Sequence, residues 1–394
     1  MKLKKSLVII TLSFLISPLL LLPISLIYIY NNKFFGYIGL SIFLSILAFT
    51  YVPYEGYDLV RHYSVYNGYV NNNTLETVYG YISYNPASSF LYGFIYLIYN
   101  LGLKKEFLPA IAVFISTFCF LLMLYRRAKS YSGKTRILFV ILFVIVFPLL
   151  TEASGIRFFL AISIYILYSY FLIIEKRNFY YLIPLFLIIH PVTGVFLIPI
   201  FLYKYTIKIS RKLMLLSFVL LFSGGAFYIV DISSIAITYI LNKTGLFSLG
   251  YLDSKSIFDG LTVNQSYSLI LQITPFFIVV LFLVLKRKWL DKEAYSFISL
   301  FIFIILIFSG VPQFFIRSTF VVNLVFFFYI ISFYKEMING KVKCIIFSCL
   351  LVSMFLSSLA IMNTFKASYY PSWKNIYLPT PYLLSITDVN EYIK

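Results

Sequence analysis

The chain has 394 residues, of which 61% are hydrophobic and only 12% charged, with a mean hydropathy of +0.93. So few polar groups cannot cover a water-soluble protein of this size, which excludes an ordinary soluble globular class. The formal charge of +18 would suggest nucleic acid in a soluble protein. Here the basic residues fall in short loops between apolar runs, the pattern of cytoplasmic loops, and no nucleic-acid partner is expected.

In chain order, Met1 to Lys5 opens onto an apolar run, Ser6 to Tyr30. That run is too long for a signal-peptide core and lacks a small-residue cleavage site, so it reads as membrane structure. Further apolar segments follow at 34–53, 88–103, 107–125, 137–151, 157–174, 179–203, 213–230, 267–285, 294–309, 316–334 and 344–362. Most approach the roughly 20 residues that cross a bilayer. The predicted fold is therefore all-α: a polytopic membrane helix bundle of roughly 10–12 transmembrane segments, forming a single integral membrane domain over 1–394. Two features leave the side of loop 54–87 open. Pro18 and Pro23 can split the first run into a hairpin, and 88–103 is short for a crossing. Cys119, Cys344 and Cys349 lie in apolar segments without metal-type spacing and read as core residues.

Five basic clusters set the orientation: Arg126 to Arg136, Lys176-Arg177, Lys204 to Lys212, Lys286 to Lys292, and Lys335 to Lys343. All are cytoplasmic together if segment 179–203 enters and leaves on one side. Pro184 and the pair His190-Pro191 favour that, because each piece left is too short to span. The segment reads as a re-entrant half-helix pair with His190 near its apex. Connections 152–156, 231–266, 310–316 and the tail 363–394 then lie outside the cytoplasm.

Ionisable residues in so apolar a chain are functional candidates. The first group is Tyr54 to Tyr66, where Asp58 and Arg61 stand three apart on one helical face, with His62, Tyr63 and Tyr66 beside them. The alternative is an interfacial loop with a local ion pair. Next comes Glu152-Ala153-Ser154-Gly155-Ile156-Arg157. An arginine in the first turn of an apolar helix opposes the helix dipole and needs an anion, either Glu152 or an anionic substrate. Third is His190, which on an apolar face is more often a core residue, although the break beside it raises its interest. The last is Gly310 to Arg317, another arginine near a helix start. Arg61, Arg157 and Arg317 together suggest a diphosphate pocket. No P-loop, dinucleotide turn, HExxH or metal-ligand spacing is present, so no cofactor or metal is expected.

Asp58 to Tyr66, Ser154-Gly155-Ile156-Arg157 leading into Phe158 to Ala161, and His190-Pro191 about thirty residues later resemble, in order and spacing, the EpsG family, relatives of the Wzy-type polysaccharide polymerases. Arg317 also fits, and Leu59 stands where the family often has Tyr. The resemblance covers about residues 34–334. It implies an enzyme of the cytoplasmic (inner) membrane that polymerises polyprenyl-diphosphate-linked oligosaccharide repeats into a capsule, exopolysaccharide or O-antigen-like surface polysaccharide at the extracytoplasmic face. In that role Arg157 and Arg317, with Arg61, would hold the diphosphate. His190, or second to it Asp58, would be the base, Tyr63 and Tyr66 would stack on sugar, and Glu152 would line the site. The implied partners are the lipid-linked oligosaccharide, the bilayer, and a chain-length regulator or flippase. The competing readings are a flippase or transporter of the lipid-linked glycan, a polysaccharide ligase, and a scaffold subunit of an export complex.

Overall fold

The computed structural model describes residues 2–53, 58–72, 75–147, 149–222, 263–285, 290–308, 312–332, 348–349, 351–357, 359 and 376–388. Among them the regular elements are all helical. Several sequence features fall outside the described residues: Tyr54 to Tyr57, Gly310-Val311, Cys344, the basic residues Lys286 to Lys288 and Lys335 to Lys343, and most of 231–266 and of the tail. The chain divides into two compact units, Met1–Leu167 with Pro184–His190 and Phe365–Lys394, and Tyr168–Ile183 with Pro191–Thr364.

In the first unit the opening apolar run is two helices, α1 (Lys2–Ile16) and α2 (Pro18–Tyr30). The break falls at Ser17, which is extended and whose hydroxyl accepts the Leu19 N–H. Pro18 then takes the first helical position, where its missing N–H costs nothing. Pro23 stays inside α2. After a turn through Asn32, whose φ of 55° a short polar side chain tolerates, α3 (Phe34–Phe49) packs back on α2. The two backbones meet at Gly36, where a Cβ would stand 2.6 Å from the Ser25 carbonyl oxygen and 2.7 Å from the Ile29 nitrogen. Gly36→Ala should therefore force α2 and α3 apart and destabilise by about 1–3 kcal/mol. Thermal unfolding of the detergent-solubilised protein measures this, and an unchanged midpoint would show that the contact yields freely.

Helix α7 (Phe107–Ala128) lies antiparallel to α3. Phe49 meets Phe107 at 4.9 Å, and Phe34 and Tyr37 meet Tyr125 at 5.1 and 5.4 Å. The stretch from 50 to 106 thus leaves and returns at one end of the unit. It holds α4 (Asp58–Asn71), α5 (Leu75–Tyr84) and α6 (Ser89–Asn100). At 12 residues α6 is about 18 Å long, too short to cross a bilayer. These helices are joined by tyrosine edges, Tyr69 on Tyr81 and Tyr96 and Tyr66 on Tyr99. The tail helix (Thr380–Ile386) closes the same end, its last carbonyls and that of Thr387 accepting from Lys104 Nζ at 2.7–3.2 Å. At the opposite end α8 (Gly133–Val146) begins, where Arg136 donates to the Tyr30 and Ala128 carbonyls at 2.7 and 3.1 Å.

From there α9 (Leu149–Ser154) is joined through Gly155 to α10 (Ile156–Ile173). Helix α11 (Leu182–Ile189) runs back along α10, with Phe186 on Tyr165 at 5.7 Å and His190 on Phe158 at 5.8 Å. It stops at His190 because the following proline disfavours helical backbone there.

The second unit contains a 3-10 turn (Pro191–Phe196), α12 (Leu197–Leu202), α13 (Ser210–Phe222), α14 (Val263–Leu285), α15 (Lys292–Ile307) and α16 (Pro312–Ser332). Lys176 pairs with Glu293 at 2.6 Å, and Ser296 donates to the Tyr203 carbonyl at 2.6 Å. The chain before α11 and the chain after α12 therefore both lie at the start of α15. Phe196, midway between, meets Phe301 at 5.3 Å and stacks on Phe314 at 5.5 Å.

Among the described residues two helices, α7 and α10, are long and apolar enough to cross a membrane. Shorter apolar helices include Pro18–Tyr30, Phe34–Phe49, Pro191–Leu202, Ile270–Leu285 and Phe314–Tyr329.

Candidate functional site

The site is built on the first turn of α10. Arg157 Nη1 donates to the Ala87 carbonyl at 3.2 Å and to the buried Ser88 hydroxyl. Both acceptors belong to the turn Pro86–Ser88, which Pro86 stiffens. A guanidinium carries five N–H donors in a planar fork, and these two bonds through Nη1 orient it. Arg157 itself is half-buried. Glu152, the residue that sequence offered as its partner, is elsewhere: its carboxyl is buried and neither oxygen accepts a hydrogen bond. Gly155 places the two apart, bonding its N–H to the Thr151 carbonyl at 2.8 Å as α9 passes into α10.

Helix α4 supplies the second wall. Asp58 occupies its first turn, where a carboxylate suits the helix dipole, and forms the expected pair with Arg61. With Arg61 77% exposed, this pair adds little stability. One turn after Asp58, His62 stands in the field of Arg157 as well as Arg61. Burial is the main cause that pushes its pKa down to about 4; Asp58 opposes the shift, and the two arginines add to it. Asp58, Arg61, His62 and Arg157 thus share one electrostatic neighbourhood, and His62 is neutral at pH 7. His62 sits inside the motif that sequence singled out, yet sequence assigned it no role. The signal was there in its i,i+4 spacing from Asp58 and in its being one of only two histidines.

His190 is buried, and its ring meets the edge of Phe158, the residue after Arg157. It therefore lies at the same level along α10 as the arginine, on the adjoining face. Tyr63 is buried with the Lys105 ammonium 4.9 Å from its ring centre, so its ring serves the interior. Tyr66 donates to the Leu103 carbonyl at 2.7 Å and packs on Tyr99. Among the described residues of this region the open tyrosines are Tyr79 and Tyr84 on α5. Tyr84, 89% exposed, precedes by three residues the carbonyl that anchors Arg157. Arg317 belongs to the second unit, in the second turn of α16 and half-buried, one turn after the Phe314 that stacks on Phe196.

Comparison with known proteins finds no match: no family model, no curated protein and no solved structure resembles the chain significantly.

Proposed function

We propose that this chain is a multi-pass membrane enzyme that polymerises polyprenyl-diphosphate-linked oligosaccharides, of the kind the EpsG-like sequence pattern implies. The observation that carries the reading is Arg157: an arginine in the first turn of an apolar helix, held by Ala87 and Ser88 with Arg61 and two histidines nearby. Fixed guanidiniums suit a diphosphate leaving group, whose negative charge grows as the glycosyl bond breaks. In the step proposed, the acceptor hydroxyl attacks the anomeric carbon of the growing chain. The carbon–oxygen bond to the diphosphate breaks, and the electron pair leaves with polyprenyl diphosphate. The hydroxyl proton passes to a base among His190, Asp58 and His62. Arg157 and Arg61 hold the diphosphate. Tyr66 and the open ring of Tyr84 offer faces for sugar.

Topology supports the same reading. The Tyr30, Ala128 and Gly133 end of the first unit carries Lys33, Arg126, Arg127, Lys129, Lys134 and Arg136 and is taken as cytoplasmic. Loop 50–106 and Arg157 then face outward, where lipid-linked repeats are polymerised. The return of the chain from α12 to the Lys176 end is what a re-entrant pair around His190 requires, and the interruption of α-helix at His190-Pro191 suits a wet cavity.

A deletion strain tests the assignment. Single lipid-linked repeats should collect on the outer face, and the glycan ladder on a gel should collapse to its lowest rung. A flippase, the runner-up, would share the basic groove and the polytopic frame, although it more often carries a broken helix in each half. It predicts that repeats collect on the cytoplasmic face instead.

A further inference from the structure

Glu152 has no part in the chemistry proposed above, yet it lies where helices meet. α9 packs against α7, α3 and α4. The Glu152 carboxyl is 1% exposed, the one polar side chain among the described residues that reaches it is Ser116, outside tight hydrogen-bond geometry, and the buried hydroxyl of neighbouring Thr151 has no partner. Ser116 on α7, fully buried, is the polar group that faces the carboxyl, and it accepts from Ser163 Oγ of α10 at 3.2 Å. Cys119, one turn further along α7, lies within the electrostatic reach of the carboxyl. The other ionisable groups on elements packed here are Tyr37 on α3, Asp58, Arg61, His62 and tyrosines on α4, Tyr125, Arg126 and Arg127 in the last turn of α7, and Arg157 five residues onward; none hydrogen-bonds the carboxyl. Burial with so little compensation holds the Glu152 carboxyl well above the ordinary carboxylate range. A buried acid with only a loose hydroxyl contact calls for a functional explanation, and the lightest ligand that satisfies it is a proton.

We propose that Glu152 is a proton-binding site: the resting protein keeps it as a neutral acid facing Ser116, and loss of that proton to water displaces α9 and, through Gly155, the arginine that opens α10. The linkage is short. The Gly155 N–H bonds to Thr151, and the Phe159 N–H bonds to Gly155 at 3.2 Å, so α9 and the Arg157 turn move as one rail. The proposal holds whatever Arg157 binds.

The sign follows from linkage. A carboxyl whose folded pKa lies above its unfolded value near 4.3 binds its proton more tightly in the folded state. Its contribution is lost as pH rises above that value. Glutamine does not titrate. The midpoint of thermal unfolding of the full-length Glu152→Gln protein in lipid nanodiscs, minus that of wild type, should therefore rise by about 2–8 °C between pH 5 and pH 8.5. His62 titrates in both proteins and cancels. A difference that does not change with pH would overturn the proton site. Infrared spectra of the wild-type protein carrying carbon-13 glutamate give a second readout that does not depend on the variant folding. A protonated side-chain carbonyl should persist at pH 7, and its absence would also overturn the site. Displacement is read at Cys119, in a background with Cys344→Ser and Cys349→Ser. At pH 8.5 an uncharged maleimide should label Cys119 several-fold faster in that background than in the same background carrying Glu152→Gln, and equal rates would refute the movement.

Discussion

Arg157→Ala is expected to abolish the polysaccharide ladder, with polymer falling roughly 10²–10³-fold, the range for loss of one fixed donor to a developing charge. Arg157→Lys should fare little better. A guanidinium bonds Ala87 and Ser88 through one nitrogen of a planar fork whose geometry matches phosphate oxygens. An ammonium that keeps the anchor has no second nitrogen to offer, and one that reaches for phosphate abandons the anchor. Ser88→Ala removes one orienting bond of about 1 kcal/mol and should cost only several-fold. Densitometry of surface glycan, normalised to the amount of protein in the membrane, distinguishes the three variants. A near-normal ladder from Arg157→Ala at wild-type level would remove the arginine from the chemistry.

Acid should destabilise the protein through His62. Its folded pKa of about 4 lies below the unfolded value near 6.5, so the unfolded state takes the proton first. The contribution is complete above about pH 6.5 and is lost as pH falls from there towards 4. By pH 5 the loss reaches at most about 2 kcal/mol, because a partly exposed ring is screened by solvent. His62→Gln should flatten this slope, while Asp58→Asn, which removes the one group opposing the shift, should steepen it. Unfolding of the detergent-solubilised proteins at pH 7 and pH 5 gives the comparison. If His62→Gln keeps the wild-type slope, the acid sensitivity comes from another group. The same depression keeps the ring neutral at pH 7 and so able to accept a proton. A bound diphosphate would offset the Arg157 and Arg61 charges and strengthen it as a base.

What could be read in advance was whatever a local rule controls. Proline removes a donor and restricts the residue before it, so the interruptions at Ser17-Pro18 and His190-Pro191 were visible in the sequence. Helical spacing alone paired Asp58 with Arg61. The partners of Arg157 were not legible: Ser88 lies 69 residues away, and only tertiary packing brings its turn to α10. Glu152 was the nearest anion in sequence, but Gly155 and the burial of α9 turn it towards Ser116. Tyrosines gave a similar lesson. Tyr63 stood in the motif yet is enclosed under Lys105, whereas Tyr84, outside any motif, is open beside the Arg157 anchor. A tyrosine-rich stretch does not announce which rings face inward, because tyrosine suits core, interface and sugar alike.

The most direct test of the central proposal is reconstitution. Purified protein in vesicles would be given a synthetic polyprenyl-diphosphate-linked repeat labelled in its sugar. A polymerase forms a ladder of longer lipid-linked products and releases one polyprenyl diphosphate for each repeat added, and Arg157→Ala protein forms neither. Labelled repeats that stay single while crossing from one leaflet to the other would contradict polymerisation and identify a transporter.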